Sequence, residues 1–382
     1  MKTKRAYKYR FYPTAEQENT LANTFGCVRF VYNYFLTVRQ EAWYKRKDKI
    51  DYHETSFLLS ELKKNSKYLW LNDVSCVPTQ QSLRHLHMAF INFWKGISRY
   101  PTFKKKMNKQ SATYANNAFK WNDNKLILAK MNEPLNIRWS RKFNNKPSTV
   151  TISKDPSGRY FVSFLVEENI KPKPVVNSTI GIDVGIKDIC VTSDGFKSGS
   201  PKYTKRFSAR LAKAQQRLAK KKKGSANRTK ARIKVAKIHA KIKDSRHDFL
   251  HKLSTKLINE NQVISTETLA VKNKIKNPKL SKAISDSGWG EFLRQLEYKS
   301  KWYGRTLIGI DRWYPSSKRC SVCGYTVSSL PLDIRLWECP ECHTAHDRDI
   351  NAAKNIKAAG LAVLAFGEDV SIVSKLGITC PQ

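Results

Sequence analysis

The sequence predicts a multidomain α/β protein: a small β-barrel interrupted by a helical block, then a second α/β domain carrying a zinc ribbon. Three observations predict this. Strand-like alternation at residues 5–12 resumes only after residue 101, with helical periodicity between the two. The linker Lys171-Pro-Lys-Pro174 closes that region and precedes a new set of strand patterns. Two Cys-x-x-Cys knuckles lie close together in the C-terminal quarter.

In residues 5–12, Tyr7, Tyr9 and Phe11 share one face, and Lys8 and Arg10 the other. Pro13 ends the strand. Thr14-Ala-Glu-Gln17 then reads as a capping box opening a helix with Leu21 and Phe25 on one side. A further helix is expected from Thr79 to about Trp94, striped by Leu83, Leu86, Phe90 and Phe93. After Pro101, Leu126–Leu128 and Leu135–Trp139 are short strand candidates. Val150 and Ile152 alternate into the turn Asp155-Pro-Ser-Gly158, and Tyr160, Val162, Phe164 and Val166 alternate out of it. The barrel is therefore placed at 1–13 and 101–174, with the helical lobe 14–100 inserted.

Thr179–Gly185 opens the second sheet, and Ile189–Thr192 is its expected neighbour. Residues 202–256 read as a basic helical hairpin broken at Gly224-Ser-Ala-Asn227, with an apolar stripe through Leu211, Leu218, Ile238, Ile242 and Leu253. The acids near its cationic run are Asp244 and Asp248, so its charge is too one-sided to pair with itself. Over the whole chain, 71 Lys and Arg against 31 Asp and Glu leave a net charge of +40 in 382 residues. Such an excess repels itself unless a polyanion neutralises it, which points to nucleic acid. The start lacks the apolar core of a signal peptide, and Ala358–Phe366 falls far short of a membrane span of about 20 residues. A cytoplasmic, nucleoid-associated protein without a membrane partner is expected. Cys27, Cys76, Cys190 and Cys380 are scattered and read as free thiols.

Cys320, Cys323, Cys339 and Cys342 carry the strongest local signal. Two sulfurs per tight turn supply adjacent corners of a tetrahedron, and full coordination makes the expected Zn2+ structural. His343 and His346 are near enough to substitute, but four cysteines leave them unneeded. Three acids carry the chemistry. Asp183 ends a strand flanked by glycines, Glu267 follows the strand pattern Gln262–Thr266, and Asp349 sits on a helix face with Ala352, Ala353 and Ile356. Asp349 could instead cap that helix, as could Asp347. Strand, later strand, late helix is the order of acids in an RNase H-like nuclease. Three carboxylates can hold two Mg2+ ions about 3.5–4 Å apart, one activating water and the other stabilising the leaving oxygen.

The chain resembles the TnpB (OrfB) family of transposon-encoded RNA-guided nucleases, relatives of the type V CRISPR effectors. The segments that carry the likeness run in order along the chain. They are Tyr9–Pro13 with Glu16-Gln17, Gly26–Arg29 leading to Tyr32-Asn33, Val77–Leu83, Arg99–Lys104, Gly181–Gly185, the paired knuckles and Asp347–Ile356. The resemblance implies a wedge-type β-barrel, a recognition lobe, a RuvC-like domain over 175–318 and 344–382, and a zinc-ribbon target-nucleic-acid-binding insert at 319–343. It implies a guide RNA from the transposon end and a double-stranded DNA target beside a short transposon-adjacent motif, with no obligate protein partner. The nuclease acids become Asp183, Glu267 and Asp349. Asp349 is preferred to Asp347 because it precedes Asn-Ala-Ala by two residues. His343 departs from the family, which often has Gly there, and this puts the local turn in question. Gln80 and Gln81 could meet DNA bases, and the basic hairpin, with Lys221, Lys222, Arg228 and Arg232, could meet heteroduplex or scaffold RNA. An RNA-guided repressor that does not cut and an RNA-independent transposase or recombinase are the alternatives. A zinc-ribbon RNA protein of ribosomal type would have no use for three converging acids.

Overall fold

A computed structural model of the chain describes residues 2–331 and 333–366, with Lys272 through its backbone alone. The end of the predicted nuclease segment, 367–382 with Cys380, lies outside the described residues. The chain divides into two compact units, Met1–Asn169 with Arg232–Lys237, and the remainder.

The first unit starts with β1 (Lys2–Tyr12), followed by α1 (Ala15–Arg46), α2 (Tyr52–Lys64) and α3 (Cys76–Trp94). Thr14 and Gln17 make the expected reciprocal capping box at α1. The helix predicted from Thr79 starts three residues earlier, because Pro78 is tolerated in a first turn whose N–H groups lack partners anyway. Then come β2 (Gln110–Ala115), β3 (Phe119–Asn122), β4 (Lys125–Leu128), β5 (Asn136–Arg138), β6 (Thr149–Lys154) and β7 (Tyr160–Asn169). Alternation drives the sheet: Tyr7, Tyr9, Phe11, Val162 and Phe164 are all buried in one cluster, which α1 covers with Leu21, Phe25 and Val28. Gly158, at φ +88°, closes the β6–β7 turn, and Asp155 accepts from the N–H groups of Ser157 and Arg159.

The expected barrel does not close among the described residues. The sheet is open, in the order β2-β6-β7-β1-β5, and β3–β4 pair only with each other. Closure would need β5 to reach β2. At three residues, β5 pairs only with the end of β1, Arg10–Tyr12, and leaves β2 as a free edge.

In the second unit, β8 (Thr179–Asp183) and β9 (Val191–Thr192) are followed by α4 (Tyr203–Arg206), α5 (Ser208–Ala219) and α6 (Ala226–Glu260). Next come β10 (Val263–Glu267), α7 (Val271–Lys274), α8 (Ser281–Ser287), α9 (Trp289–Tyr303) and β11 (Thr306–Ile310). The chain then forms β12 (Leu336–Glu338), β13 (Ala345–Asp347) and α10 (Arg348–Ala365). The main sheet runs β11-β10-β8-β9, with β9 antiparallel to β8 and the other neighbours parallel. Side chains alternate across it. Ile180, Ile182 and Ile264 pack with Leu253 and Leu257 of α6 and with Phe292 and Leu296 of α9. The intervening residues therefore face the other side, where α10 lies. A Cβ on Gly181 would fall 2.1 Å from the carbonyl oxygen of Ala353, and one on Gly360 would fall 2.5 Å from the Ser265 Cβ. Glycine at both places lets helix backbone rest directly on strands. Among the described residues no helix is long and apolar enough to cross a membrane.

Candidate active site

Asp183 and Glu267 end neighbouring parallel strands, one residue past the paired Ile182 and Thr266. Register thus sets both carboxylates at one level on the α10 side, at the carboxyl ends of the strands, where open α/β sheets bind ligands. Ala353 of α10 sits over Gly181, so Asp349, one turn earlier, comes to the level of Asp183. Asp347 supplies the helix cap, accepting from the N–H groups of Asp349 and Ile350 at 3.1 Å each. That leaves the Asp349 carboxylate to the site, and the two acids that compete for the cap in the sequence have separate tasks. The Lys197 ammonium donates to Asp347 at 2.6 Å.

The electrostatics register the convergence. Burial, then the charges of Glu267 and Asp349, push the Asp183 carboxyl up to about 7, while Lys274 pulls it the other way. The Ser316 hydroxyl donates to Glu267 Oε1 at 2.5 Å, and Arg335 donates to Asp349 Oδ1 at 3.0 Å. None of these partners is signalled by spacing or periodicity. Ser316 and Arg335 sit in irregular chain around the knuckles, and Lys197 lies on the loop after β9. A set of three hard oxygen donors with excess negative charge fits divalent cations such as Mg2+.

The four cysteines form the other centre. All their sulfurs lie within 4.8 Å of one another, and among the described residues no other group of His, Cys, Asp or Glu side chains is drawn together in this way. Cys320–Cys342 and Cys323–Cys339 are 3.6 Å apart. A tetrahedron with bonds of about 2.3 Å has edges of about 3.8 Å, so the thiols fit Zn2+. The hydroxyl and N–H of Thr344 hold the Cys342 thiol down to about 6. His346 is buried against Trp337 with Nε2 3.1 Å from Cys320 Sγ, beside the tetrad rather than in it. His343 takes a φ of +53°, the left-handed region that favours glycine.

Residues 289–356 match the family described as Cas12f1-like, TNB domain, and 162–277 match one described as "Probable transposase". Residues 1–48 match a family described as a helix-turn-helix domain, although here α1 runs unbroken through that span. A Streptomyces pristinaespiralis protein named as an RNA-guided DNA endonuclease is 52% identical over 370 residues, covering 96% of this chain and 92% of its own. The chain belongs to the TnpB (OrfB) family. Another TnpB relative, InsQ of Escherichia coli K12, with the same kind of name, is 30% identical over 97% of this chain and 96% of its own. The cryo-EM structure of a Cas12f1–sgRNA–target DNA complex shares the fold, with a TM-score of 0.52 at 15% identity over 93% of this chain and 99% of the Cas12f1 chain.

The remaining sequence candidates of this TnpB chain lie on other elements. Gln80 is exposed and Gln81 half-buried on α3. Lys221 and Lys222 are exposed between α5 and α6. Arg228 is half-buried and donates to the carbonyl oxygens of Leu218 and Lys221, closing that loop, and Arg232 is half-buried on α6.

Proposed function

We propose that this protein is an RNA-guided endonuclease that binds a transposon-end guide RNA and cuts double-stranded DNA beside a short flanking motif. The observation that carries the reading is that Asp183, Glu267 and Asp349 lie at the ends of β8 and β10 and the start of α10, near enough for the charges of the other two to act on Asp183, in a chain 52% identical to a protein named as an RNA-guided DNA endonuclease. Asp183, Glu267 and Asp349 would hold the Mg2+ ions, which would supply activation of water and charge neutralisation at the phosphate. Burial and like charge keep Asp183 reluctant to ionise alone, so the site is poised for cations. Cys320, Cys323, Cys339 and Cys342 would hold Zn2+, which would fix the fold of the insert.

The rest of the chain takes the family's division of labour. The β1–β7 sheet and its helices act as wedge and recognition lobe, and the second unit as a RuvC-like nuclease domain with its zinc insert. Exposed Lys221 and Lys222 and half-buried Arg228 and Arg232 contact phosphates, and Gln80 and Gln81 contact bases. Guide pairing reads the target sequence.

The test is guided cleavage in Mg2+ by protein expressed with the RNA of its own locus. Asp183→Ala should abolish cutting and leave RNA co-purification unchanged. Target binding without cutting by the wild type would instead support the repressor, and protein free of RNA after a high-salt wash would support the RNA-independent transposase.

A further inference from the structure

Two asparagines of α10 join the cysteine cluster to the carboxylates. Asn351 and Asn355 are 1% and 4% exposed, and both aim at the segment 316–321. Asn351 Nδ2 donates to the carbonyl of Arg319 at 2.7 Å, and its Oδ1 accepts from the Ser321 N–H at 2.9 Å. Asn355 Nδ2 donates to the carbonyls of Arg319 at 2.6 Å and Ser316 at 2.8 Å. These bonds grip the residues on both sides of Cys320. At the other end of the same segment, the hydroxyl of Ser316, itself 5% exposed, donates to Glu267.

We propose that Ser316, Asn351 and Asn355 are positioning residues through which the filled cysteine tetrad sets the orientation of Glu267. This deepens the nuclease reading and rests on it for Glu267 as a cation ligand. A tetrahedral metal fixes Cys320 relative to Cys342. The asparagines transmit that fixed position along 316–321, and the buried Ser316 hydroxyl holds Oε1, leaving the second carboxylate oxygen directed to the site. Partners of this kind, one bond removed from the metal, govern ligand geometry as much as the ligands do. Asn351 engages both a donor and its acceptor there, and Asn355 donates twice, so this buried connection is fixed at two points along the segment.

The test reads cation binding rather than cutting. Mn2+ is titrated into the zinc-loaded full chain and followed by the loss of the free-ion EPR signal, with Asp183→Ala defining the portion due to the carboxylate site. Ser316→Ala should weaken that portion about tenfold, and Ser316→Thr, which restores the hydroxyl, should recover it. Zinc content should be the same in all three. Stripping the zinc and dialysing away the chelator should weaken Mn2+ binding in the wild type by a similar factor and add little to Ser316→Ala. Unchanged Mn2+ affinity in Ser316→Ala, or in the stripped wild type, would overturn the proposal. So would full additivity of the two perturbations. If the wild type binds Mn2+ in an Asp183-dependent way yet leaves guided DNA intact, the nuclease reading fails and the coupling stands.

Discussion

Replacing Gly360 by alanine should lift α10 from the sheet and separate Asp349 from its partners. The added Cβ would lie 2.1 Å from Ser265 Oγ and 2.5 Å from Ser265 Cβ, whereas ordinary contact begins near 3.4 Å. Rotation of Ser265 can remove the hydroxyl clash. It cannot move the Cβ, so a shortfall of about 0.9 Å (3.4 − 2.5) must be met by backbone. Overpacking of this kind costs about 1–3 kcal/mol, and a misplacement of about 1 Å at a reacting site can cost about 100-fold in rate. Urea denaturation gives the first quantity and single-turnover cleavage the second. Ser265→Gly supplies the control, because it deletes both clashing atoms and leaves only Cα, 3.6 Å away. The double variant should regain most of the lost activity, although glycine in a strand has its own cost of about 1 kcal/mol. Gly181→Ala has no such remedy, since its Cβ meets the carbonyl of Ala353 and the N–H of Lys357. Wild-type stability and rate in Gly360→Ala, or failure of Ser265→Gly to rescue it, would refute the seam as what positions Asp349.

Asp183 should make the metal-free chain less stable as pH rises. Its folded value near 7 exceeds the ordinary 3.8, so its contribution is present below about pH 4 and lost as pH rises through 7. Asp183→Asn should shrink the drop in urea midpoint between pH 5.5 and 8 while abolishing cleavage; equal drops in both proteins would contradict this origin. His343→Gly should relieve the left-handed backbone at φ +53° and raise stability by up to about 1 kcal/mol, with His343→Ala giving no gain, as compared by thermal unfolding. Cys339→Ser should reduce zinc content and make the 319–343 insert susceptible to limited proteolysis, whereas Cys190→Ser, at a buried cysteine outside the tetrad, should keep full zinc content. Thr14→Ala should cost about 1 kcal/mol through loss of the α1 cap, visible in the denaturation midpoint.

Periodicity and punctuation made much of this molecule legible. Alternation located β1, β6 and β7, a short strand pattern located β10, and the Thr14 capping box placed the start of α1 to the residue. Knuckle spacing located the cysteine tetrad. Asp183 and Glu267 could be nominated because each ends a strand pattern, and Asp349 because it shares a helical face with Ala352, Ala353 and Ile356, while the choice of Asp349 over Asp347 rests on the resemblance. Closure of a sheet is another matter. It depends on which edges meet, and β5 is too short for its pattern to say. Partners from irregular chain were equally hidden: nothing in the spacing of Ser316 or Arg335 marks them as facing Glu267 and Asp349. The glycines beside Asp183 read as room for close approach of backbone or phosphate, and at Gly181 the backbone that approaches is that of α10.

Arg335 raises the question of whether its pairing with Asp349 competes with a cation. Magnitudes decide it. The guanidinium side chain is 48% exposed and the carboxylate 19%, and a pair so open to water contributes at most about 1 kcal/mol. A divalent ion shared among three carboxylates would carry twice the charge and meet three anions at once, of which Asp183 already resists ionisation through burial and then through the charges of the other two. Relieving that repulsion would add to the attraction, so on the proposed reading a bound ion would outcompete the arginine for Asp349. Arg335 is then free to turn toward an anion near the same carboxylates, at a site where the substrate's phosphate is expected. Its carbonyl stays anchored meanwhile, accepting from the Arg348 N–H at 2.8 Å, so the side chain can exchange partners without the insert leaving α10.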